Sequence, residues 1–183
     1  MQLTRRIMLL RHAEKPDPAA GIGGVDLAGV ANADSLSVRG WQRAGALAAL
    51  FGPPHEGGRL QFTRPAYLFA TAATPDAPSR RSEQTLAPLA QLIALHVSTE
   101  FQRGQEAALA RRLGALPRSA LVAWEHRGLA ELARQLAGSA VETPAAWPAE
   151  RFDMVWVFDF SGPRTVFFQV PQLLLAGDRS DPL

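Results

Sequence analysis

The spacing of apolar residues along the chain predicts strands that alternate with helices. Short runs that are apolar at nearly every position are typical of strands covered by helices on both faces, and they occupy residues 7–10, 66–70 and 120–124. Apolar residues at helical spacing occupy residues 37–51, 79–92, 105–116 and 128–136. Two β-rich runs with the pattern of an antiparallel hairpin follow at residues 154–158 and 165–170. We therefore expect one three-layer α/β/α domain over residues 1–183, with a mostly parallel mixed sheet and a C-terminal β-hairpin.

Local signals refine this arrangement. Ser37 and Ser79 stand where the N-caps of two helices are expected. Pro88 falls inside the second helical segment and should kink or divide that helix. Residues 16–35 are rich in Pro, Gly, Ala and Asp and follow no period, which predicts a long loop after the first strand. Because long loops in compact domains are usually functional, we expect this loop to contribute to substrate specificity.

Composition and charge exclude several classes of protein. The chain is 47% hydrophobic and has no cysteine, so it is of ordinary globular composition and has neither disulfides nor thiolate metal ligands. The net charge is only +2, and the arginines are spread along the chain, so nucleic-acid binding is not indicated. Arg5 and Arg6 precede only four apolar residues, whereas a signal peptide core needs roughly 7–15. No apolar run approaches the roughly 18 residues of a membrane span. We expect a cytoplasmic protein that binds neither nucleic acid nor membrane.

Basic side chains follow each of the three buried strands. Arg11 and His12 end the first strand, Arg80 and Arg81 follow the second, and His126 follows the third. The carboxyl ends of parallel strands meet at one edge of the sheet, where α/β proteins bind their ligands. Two guanidiniums and two imidazoles suit a phosphoryl dianion, which arginine binds through paired hydrogen bonds. The alternative for the first pair is that both side chains merely cap the sheet edge and face solvent.

Four motifs resemble, in the same order, those of the histidine phosphatase superfamily, which includes the phosphoglycerate mutases. They are Arg11-His12-Ala13-Glu14, Leu36–Ala44, Arg81–Thr85 and Leu121–His126. The resemblance implies a phosphoglycerate mutase-like fold and a phosphohistidine intermediate formed on His12. It further implies that Arg11, Arg81 and His126 bind the phosphoryl oxygens. No metal or other cofactor is expected, because the arginines supply the positive charge.

The resemblance leaves the general acid open among three carboxyl groups. One branch of the family has an aspartate directly after the second histidine, but this chain has Arg127 there. In the mutase-like branch the acid is a glutamate that lies between the motifs matched here by Arg81–Thr85 and by Leu121–His126. Glu100 lies in a segment that resembles the one carrying this glutamate. Glu106 lies nearby and competes with Glu100. Glu14 also competes, since two residues beyond His12 in an extended chain it projects to the same side.

Two departures from the family pattern bear on the reaction. Ala13 replaces the usual glycine, and Lys15 stands where a small hydroxyl or amide residue is usual. Both argue against a dedicated phosphoglycerate mutase. We expect a metal-independent phosphomonoester hydrolase that acts on a phosphorylated small molecule or a phosphoprotein. A protein phosphohistidine phosphatase and a non-catalytic phosphate-binding module are the alternatives, and the C-terminal hairpin offers an exposed strand for a homodimer.

Overall fold

The computed structural model describes residues 4–53, 61–139 and 141–183, which form a mixed β-sheet flanked by α-helices. The strands are β1 (Arg6–Arg11), β2 (Tyr67–Ala70), β3 (Val97–Ser98), β4 (Ala120–Trp124), β5 (Met154–Asp159) and β6 (Val166–Pro171). The helices are α1 (Val38–Phe51), α2 (Arg81–Ile93), α3 (Glu106–Gly114) and α4 (His126–Ala137). None of these helices is long and apolar enough to cross a membrane.

The sheet order places three strand ends side by side. The strands run in the order β3-β2-β4-β1-β5-β6, and the pairs among β3, β2, β4 and β1 are parallel. Strand β5 is antiparallel to both β1 and β6, so the expected C-terminal hairpin and mixed sheet are confirmed. Arg11 lies opposite Trp124, and Ala70 lies opposite Ala123. The carboxyl ends of β1, β2 and β4 therefore meet at one edge, as predicted.

Two apolar cores explain why the interior positions of the central strand β1, Ile7–Leu10, carry no polar residue. On one face of the sheet, Ile7 and Leu9 pack in a buried cluster with residues of α3 and α4 such as Leu109 and Leu129. On the other face, alternate residues of β1 pack in a cluster that includes residues of α1 and α2. Successive side chains of a strand point to opposite faces, so a strand between two helical layers must be apolar throughout. The α/β/α layering is thereby confirmed.

Three local predictions fare differently. Ser37 is the N-cap of α1, and its Oγ accepts a hydrogen bond from the Gly40 N–H at 3.1 Å. Ser79 is not an N-cap, because α2 begins at Arg81 and its N-cap residue is Arg80, which makes no side-chain capping bond. Pro88 does not divide α2, which continues to Ile93. The flanking Leu86 and Leu89 are fully buried in the core, and this packing holds the helix together where proline lacks its N–H.

Candidate active site

His12 lies directly beyond β1 and is oriented by its own backbone. Its Nδ1 is 2.8 Å from the carbonyl oxygen of Ala13, and its backbone N–H donates to the Trp124 carbonyl at 3.0 Å. A carbonyl oxygen only accepts, so the hydrogen bond assigns the ring proton to Nδ1. In the neutral ring Nε2 then carries a free lone pair. The tautomer is therefore the one that a nucleophilic Nε2 requires.

Burial keeps the His12 ring neutral. The side chain is only 7% exposed. Desolvation lowers the pKa of His12 to about 3; the hydrogen bond to Ala13 opposes this shift, and the charges of Arg11, Arg81 and His126 add to it. Burial disfavours the charged form of an imidazole, and nearby cations disfavour it further. His12 is therefore an uncharged base at neutral pH.

We expect this neutral state to be visible in solution. In long-range ¹H–¹⁵N spectra, the His12 ring should show the Nδ1–H tautomer at pH 7 and should remain neutral well below the ordinary histidine pKa of about 6.5. The ring signals of the exposed His96 serve as the spectral reference. A His12 ring that becomes protonated near the ordinary histidine value would contradict the assignment.

Arg11 is the most completely buried cation at the strand edge. Its side chain is 1% exposed, and its guanidinium carbon lies 3.8 Å from the ring centroid of Phe152. Nη1 donates to the carbonyl oxygens of Ala149 and Arg151, whereas the buried Nε has no hydrogen-bond partner among the described residues. Burial lowers the pKa of Arg11 to about 10, so the group remains charged at neutral pH. A buried cation with spare donors is suited to receive an anion.

Arg81 approaches the same edge from the first turn of α2. Its Nε donates to the Ser35 carbonyl at 3.1 Å and its Nη2 to the Ala33 carbonyl at 2.5 Å. These bonds fix the guanidinium against the end of the 16–35 loop, and burial lowers its pKa. Arg80, in contrast, points to the surface, where it pairs with Glu83 at 2.9 Å.

Two other residues of the motif Arg81–Thr85, Gln84 and Thr85, hold neighbouring backbone segments in place by hydrogen bonds. The Thr85 hydroxyl accepts a hydrogen bond from the Ala13 N–H at 2.8 Å and donates to the Arg81 carbonyl at 2.7 Å. Gln84 accepts from the Leu36 N–H at 2.9 Å and donates to the Ser35 hydroxyl, also at 2.9 Å. Thr85 thus ties the segment after His12 to the helix that carries Arg81.

Replacing Thr85 by valine tests this support. The Thr85→Val side chain has the same shape, but it leaves the buried Ala13 N–H without its acceptor, and we expect a loss of about 1–3 kcal/mol of folding free energy. Urea unfolding measures it, with the exposed Thr99→Val as the matched control. Equal stability of the two variants would show that the Ala13 N–H finds another acceptor.

The motif Leu36–Ala44 contains Gly40 because the structure leaves no space for a side chain at this position. A Cβ at this position would lie 2.3 Å from the backbone oxygen of Glu14, which is closer than side-chain carbons approach backbone. The Ser37 hydroxyl also donates to that oxygen, at 3.1 Å. The glycine therefore lets the start of α1 pack directly against the segment that follows His12.

His126 is the first residue of α4, directly after β4. Burial lowers its pKa, and the charges of Arg11, Arg127 and Lys15 lower it further. The first turn of a helix has backbone N–H groups without intrahelical partners, which favour anions. His126 thus adds a hydrogen-bond donor and a helix N-terminus to the edge that holds Arg11 and Arg81.

A cavity of about 400 Å³ brings these groups together. Four predicted site residues line it, namely Arg11, His12, Arg81 and His126. The other ionisable side chains on its wall are Lys15, Asp76, Arg103, Glu125 and Arg127. Cationic groups therefore outnumber carboxylates, as expected for a site that takes an anion. Within residues 4–53, 61–139 and 141–183, no group of three or more His, Asp or Glu side chains is placed to hold a metal ion.

The three glutamates considered as general acid lie outside this wall. Glu100 is exposed, and its Oε1 accepts a hydrogen bond from the Ser98 hydroxyl at 2.7 Å. Glu106 is buried beneath α4, where it accepts from the Trp124 indole at 3.0 Å. Glu14 is paired with Arg43 at 2.8 Å and with Arg39 at 3.2 Å.

Sequence reasoning did not identify Phe152 or Glu125 as residues close to the predicted site residues. Phe152 stacks against Arg11, and its ring centroid lies 6.2 Å from that of His12. It belongs to an irregular segment far along the chain, and no local pattern marks it. Glu125 lines the cavity, and its position directly before His126 was the available signal.

The fold is shared with solved phosphatase structures. A mycobacterial glucosyl-3-phosphoglycerate phosphatase complexed with VO3 has a TM-score of 0.51 at 17% identity, over 91% of this chain and 98% of that chain. An Escherichia coli K-12 protein assigned as an alpha-ribazole-5′-P phosphatase has a TM-score of 0.55 at 14% identity, over 94% of this chain and all of that chain. No protein-family model matches the sequence, and no curated protein sequence matches it significantly.

At these identities the likeness concerns the backbone fold. The matched structures are phosphatases of the histidine phosphatase superfamily, and the likeness extends over 91% and 94% of this chain. The chain therefore has the phosphoglycerate mutase-like α/β fold of the histidine phosphatase superfamily.

Proposed function

We propose that the chain is a phosphomonoester hydrolase in which His12 receives the phosphoryl group. The observation that carries this proposal is that the buried His12 lines one cavity together with the buried Arg11 and the partly buried Arg81. The Nδ1–H bond to Ala13 leaves Nε2 free to attack, and Arg11 has a buried Nε without a partner in the described chain. A neutral nucleophile beside spare guanidinium donors suits attack on a phosphoryl dianion.

The proposed reaction has two steps. In the first, Nε2 of His12 attacks phosphorus in line as the bond to the ester oxygen breaks, which gives a phosphohistidine and releases the alcohol. In the second, water attacks phosphorus, the P–N bond breaks, and inorganic phosphate leaves. Arg11, Arg81 and His126 bind the equatorial oxygens throughout. Such transfer depends mainly on positioning and charge stabilisation, and one preorganised donor is worth about 10²–10³ in rate.

Trapping the intermediate tests the proposal. The purified chain should hydrolyse 4-nitrophenyl phosphate in the presence of a chelator, because the guanidiniums supply the positive charge. Acid quenching during turnover of ³²P-labelled substrate should destroy the phosphoenzyme, whereas alkaline quenching should preserve it, as expected for a phosphohistidine. Binding of orthovanadate without turnover of any ester, and without a trapped phosphoenzyme, would instead favour the non-catalytic phosphate-binding module.

The open side of the cavity predicts a preference for substrates with additional negative charge. Lys15, Arg103 and Arg127 are exposed on its wall, and none has a hydrogen bond or ion pair with the described residues. Each such cation stabilises a negative charge about 4 Å away in water by on the order of 1 kcal/mol.

We therefore expect a lower KM for 4-carboxyphenyl phosphate than for phenyl phosphate. Lys15→Met should raise the first KM more than the second, and high salt should remove the difference because it screens exposed charges. Arg118→Met, an exposed arginine outside the cavity, is the matched control. Equal KM values for the two esters in the unmodified protein at low salt would contradict the prediction.

A further inference from the structure

The site described above lacks an assigned proton donor. The alkoxide released from an alkyl phosphate is a strong base, so its departure needs a proton from a group within about 3 Å of the ester oxygen. Glu14 and Glu106 are held by Arg43 and by Trp124, and Glu100 lies outside the cavity. Glu125 and Asp76 are the carboxyl groups that line the cavity within the described chain.

The sheet register places Glu125 beside the nucleophile. Trp124 is paired with Arg11, and the His12 N–H donates to the Trp124 carbonyl at 3.0 Å. Glu125 follows Trp124 just as His12 follows Arg11, so the two residues leave neighbouring parallel strands at the same level. Glu125 also precedes His126 directly, so one short segment carries both side chains.

The Glu125 carboxyl group is free to act. It makes no hydrogen bond or ion pair with residues in the described ranges, although it is half-buried on the cavity wall. Its negative charge, like that of Glu150, raises the pKa of Arg11 against the effect of burial, so the Glu125 carboxyl group lies close enough to interact with this cation. Its backbone is fixed, because the Glu125 carbonyl accepts the Gly128 N–H at 3.2 Å at the start of α4.

Asp76 is less suited to the same role. It is exposed and lies in the turn between Thr74 and Ala77, outside the strands and helices. A general acid must be held at a fixed position relative to the leaving oxygen. The end of β4 provides such a position, because β4 is paired on both sides within the sheet.

We propose that Glu125 is the catalytic acid and base of this site. In the first step the protonated carboxyl group of Glu125 gives its proton to the ester oxygen as the P–O bond breaks and the P–Nε2 bond forms. In the second step the Glu125 carboxylate takes a proton from the attacking water as the P–N bond breaks. Each turnover therefore returns Glu125 to its protonated form.

This inference rests on the proposed hydrolase activity, and a series of leaving groups tests it separately. The substrates are 2,4-dinitrophenyl, 4-nitrophenyl, phenyl and ethyl phosphate, in order of increasing basicity of the released alcohol. For Glu125→Gln we expect kcat/KM to fall about 10²–10⁴-fold on ethyl phosphate and progressively less along the series towards the dinitrophenyl ester, which needs little protonation. The phosphoenzyme should accumulate during turnover of the dinitrophenyl ester, because its hydrolysis loses the base.

Two further variants complete the experiment. Glu100→Gln should leave all four values unchanged, and any effect of Asp76→Asn should be the same for all four esters. The assignment would be overturned if Glu125→Gln lost kcat/KM equally on all four esters or lost none. It would also be overturned if Glu100→Gln or Asp76→Asn showed a loss that depends on the leaving group. If the unmodified protein forms no phosphohistidine from the dinitrophenyl ester, the hydrolase proposal itself is overturned. This outcome differs from those that overturn only the assignment of Glu125.

Discussion

Replacing His12 by alanine is expected to reduce kcat/KM by about 10⁴-fold or more, as when a catalytic nucleophile is removed. The neutral Nε2 of His12 is the group proposed to attack phosphorus. Among the described residues, no other nucleophilic nitrogen lies at this place beyond the end of β1 to replace it. The arginines would still bind the substrate, but only water could then attack it. We expect the acid-labile phosphoenzyme to disappear together with the turnover.

The control for this loss is a histidine outside the site. His96 is exposed and does not line the cavity, so His96→Ala should retain full turnover. Removal of the buried His12 ring affects packing, so His12→Asn, which changes the side-chain volume less, provides a second variant. Thermal unfolding reports whether each variant is folded. Wild-type turnover by a folded His12 variant would refute the phosphohistidine mechanism.

Replacing Arg43 by methionine is expected to reduce folding free energy by about 3–5 kcal/mol, because it removes the cation that the buried Asp178 carboxylate and the mostly buried Glu14 carboxylate share. Glu14 would keep its ion pair with the more exposed Arg39. Arg43 is 2% exposed. Its Nη2 lies 2.7 Å from Asp178 and 2.8 Å from Glu14, and its Nη1 donates to Gln172 at 2.9 Å. Burial alone would lower the pKa of Arg43, but the hydrogen bonds with Asp178 and Glu14 raise it above its usual value. The arginine therefore joins the segment after His12 to the C-terminal segment.

Urea unfolding measures this loss, and Arg80→Met provides the control. Arg80 also pairs with a carboxylate, Glu83, but the two side chains are 63% and 37% exposed. Exposed pairs contribute about 0–1 kcal/mol, so this control should lose little. Similar losses in the two variants would show that the Arg43 network is not coupled to folding.

The same network predicts how stability depends on pH. Hydrogen bonds from Arg43 and from the backbone of Leu174 and Leu175 outweigh burial and lower the pKa of Asp178 to about 2. The unfolded chain has a value of about 3.9, so the shift stabilises the folded state by about 2–3 kcal/mol. That stability is present above pH 4 or so and is lost as the pH falls towards 2. In Arg43→Met we expect this acid-dependent part to shrink.

The arrangement of strands and helices was largely predictable from local patterns. Runs such as Ile7–Leu10 are apolar because both faces of the strand are covered, and this requirement is visible without knowledge of the neighbours. The small strand β3 was not predicted, because two edge residues produce no period. The capping of α2 was also missed, since Ser79 has the residue type of an N-cap but lies one residue too early.

The sequence by itself determined which chemical groups reach the sheet edge. Arg11 ends a strand, His12 follows it, and Arg81 and His126 begin helices, so chain order and strand direction suffice to bring them together. Only the tertiary structure decided how these groups are held and which carboxyl group is free beside them. Phe152 reaches Arg11, and Arg43 engages Glu14, across long separations in the chain. Such contacts depend on the packing of several elements at once, and therefore no spacing in the sequence encodes them.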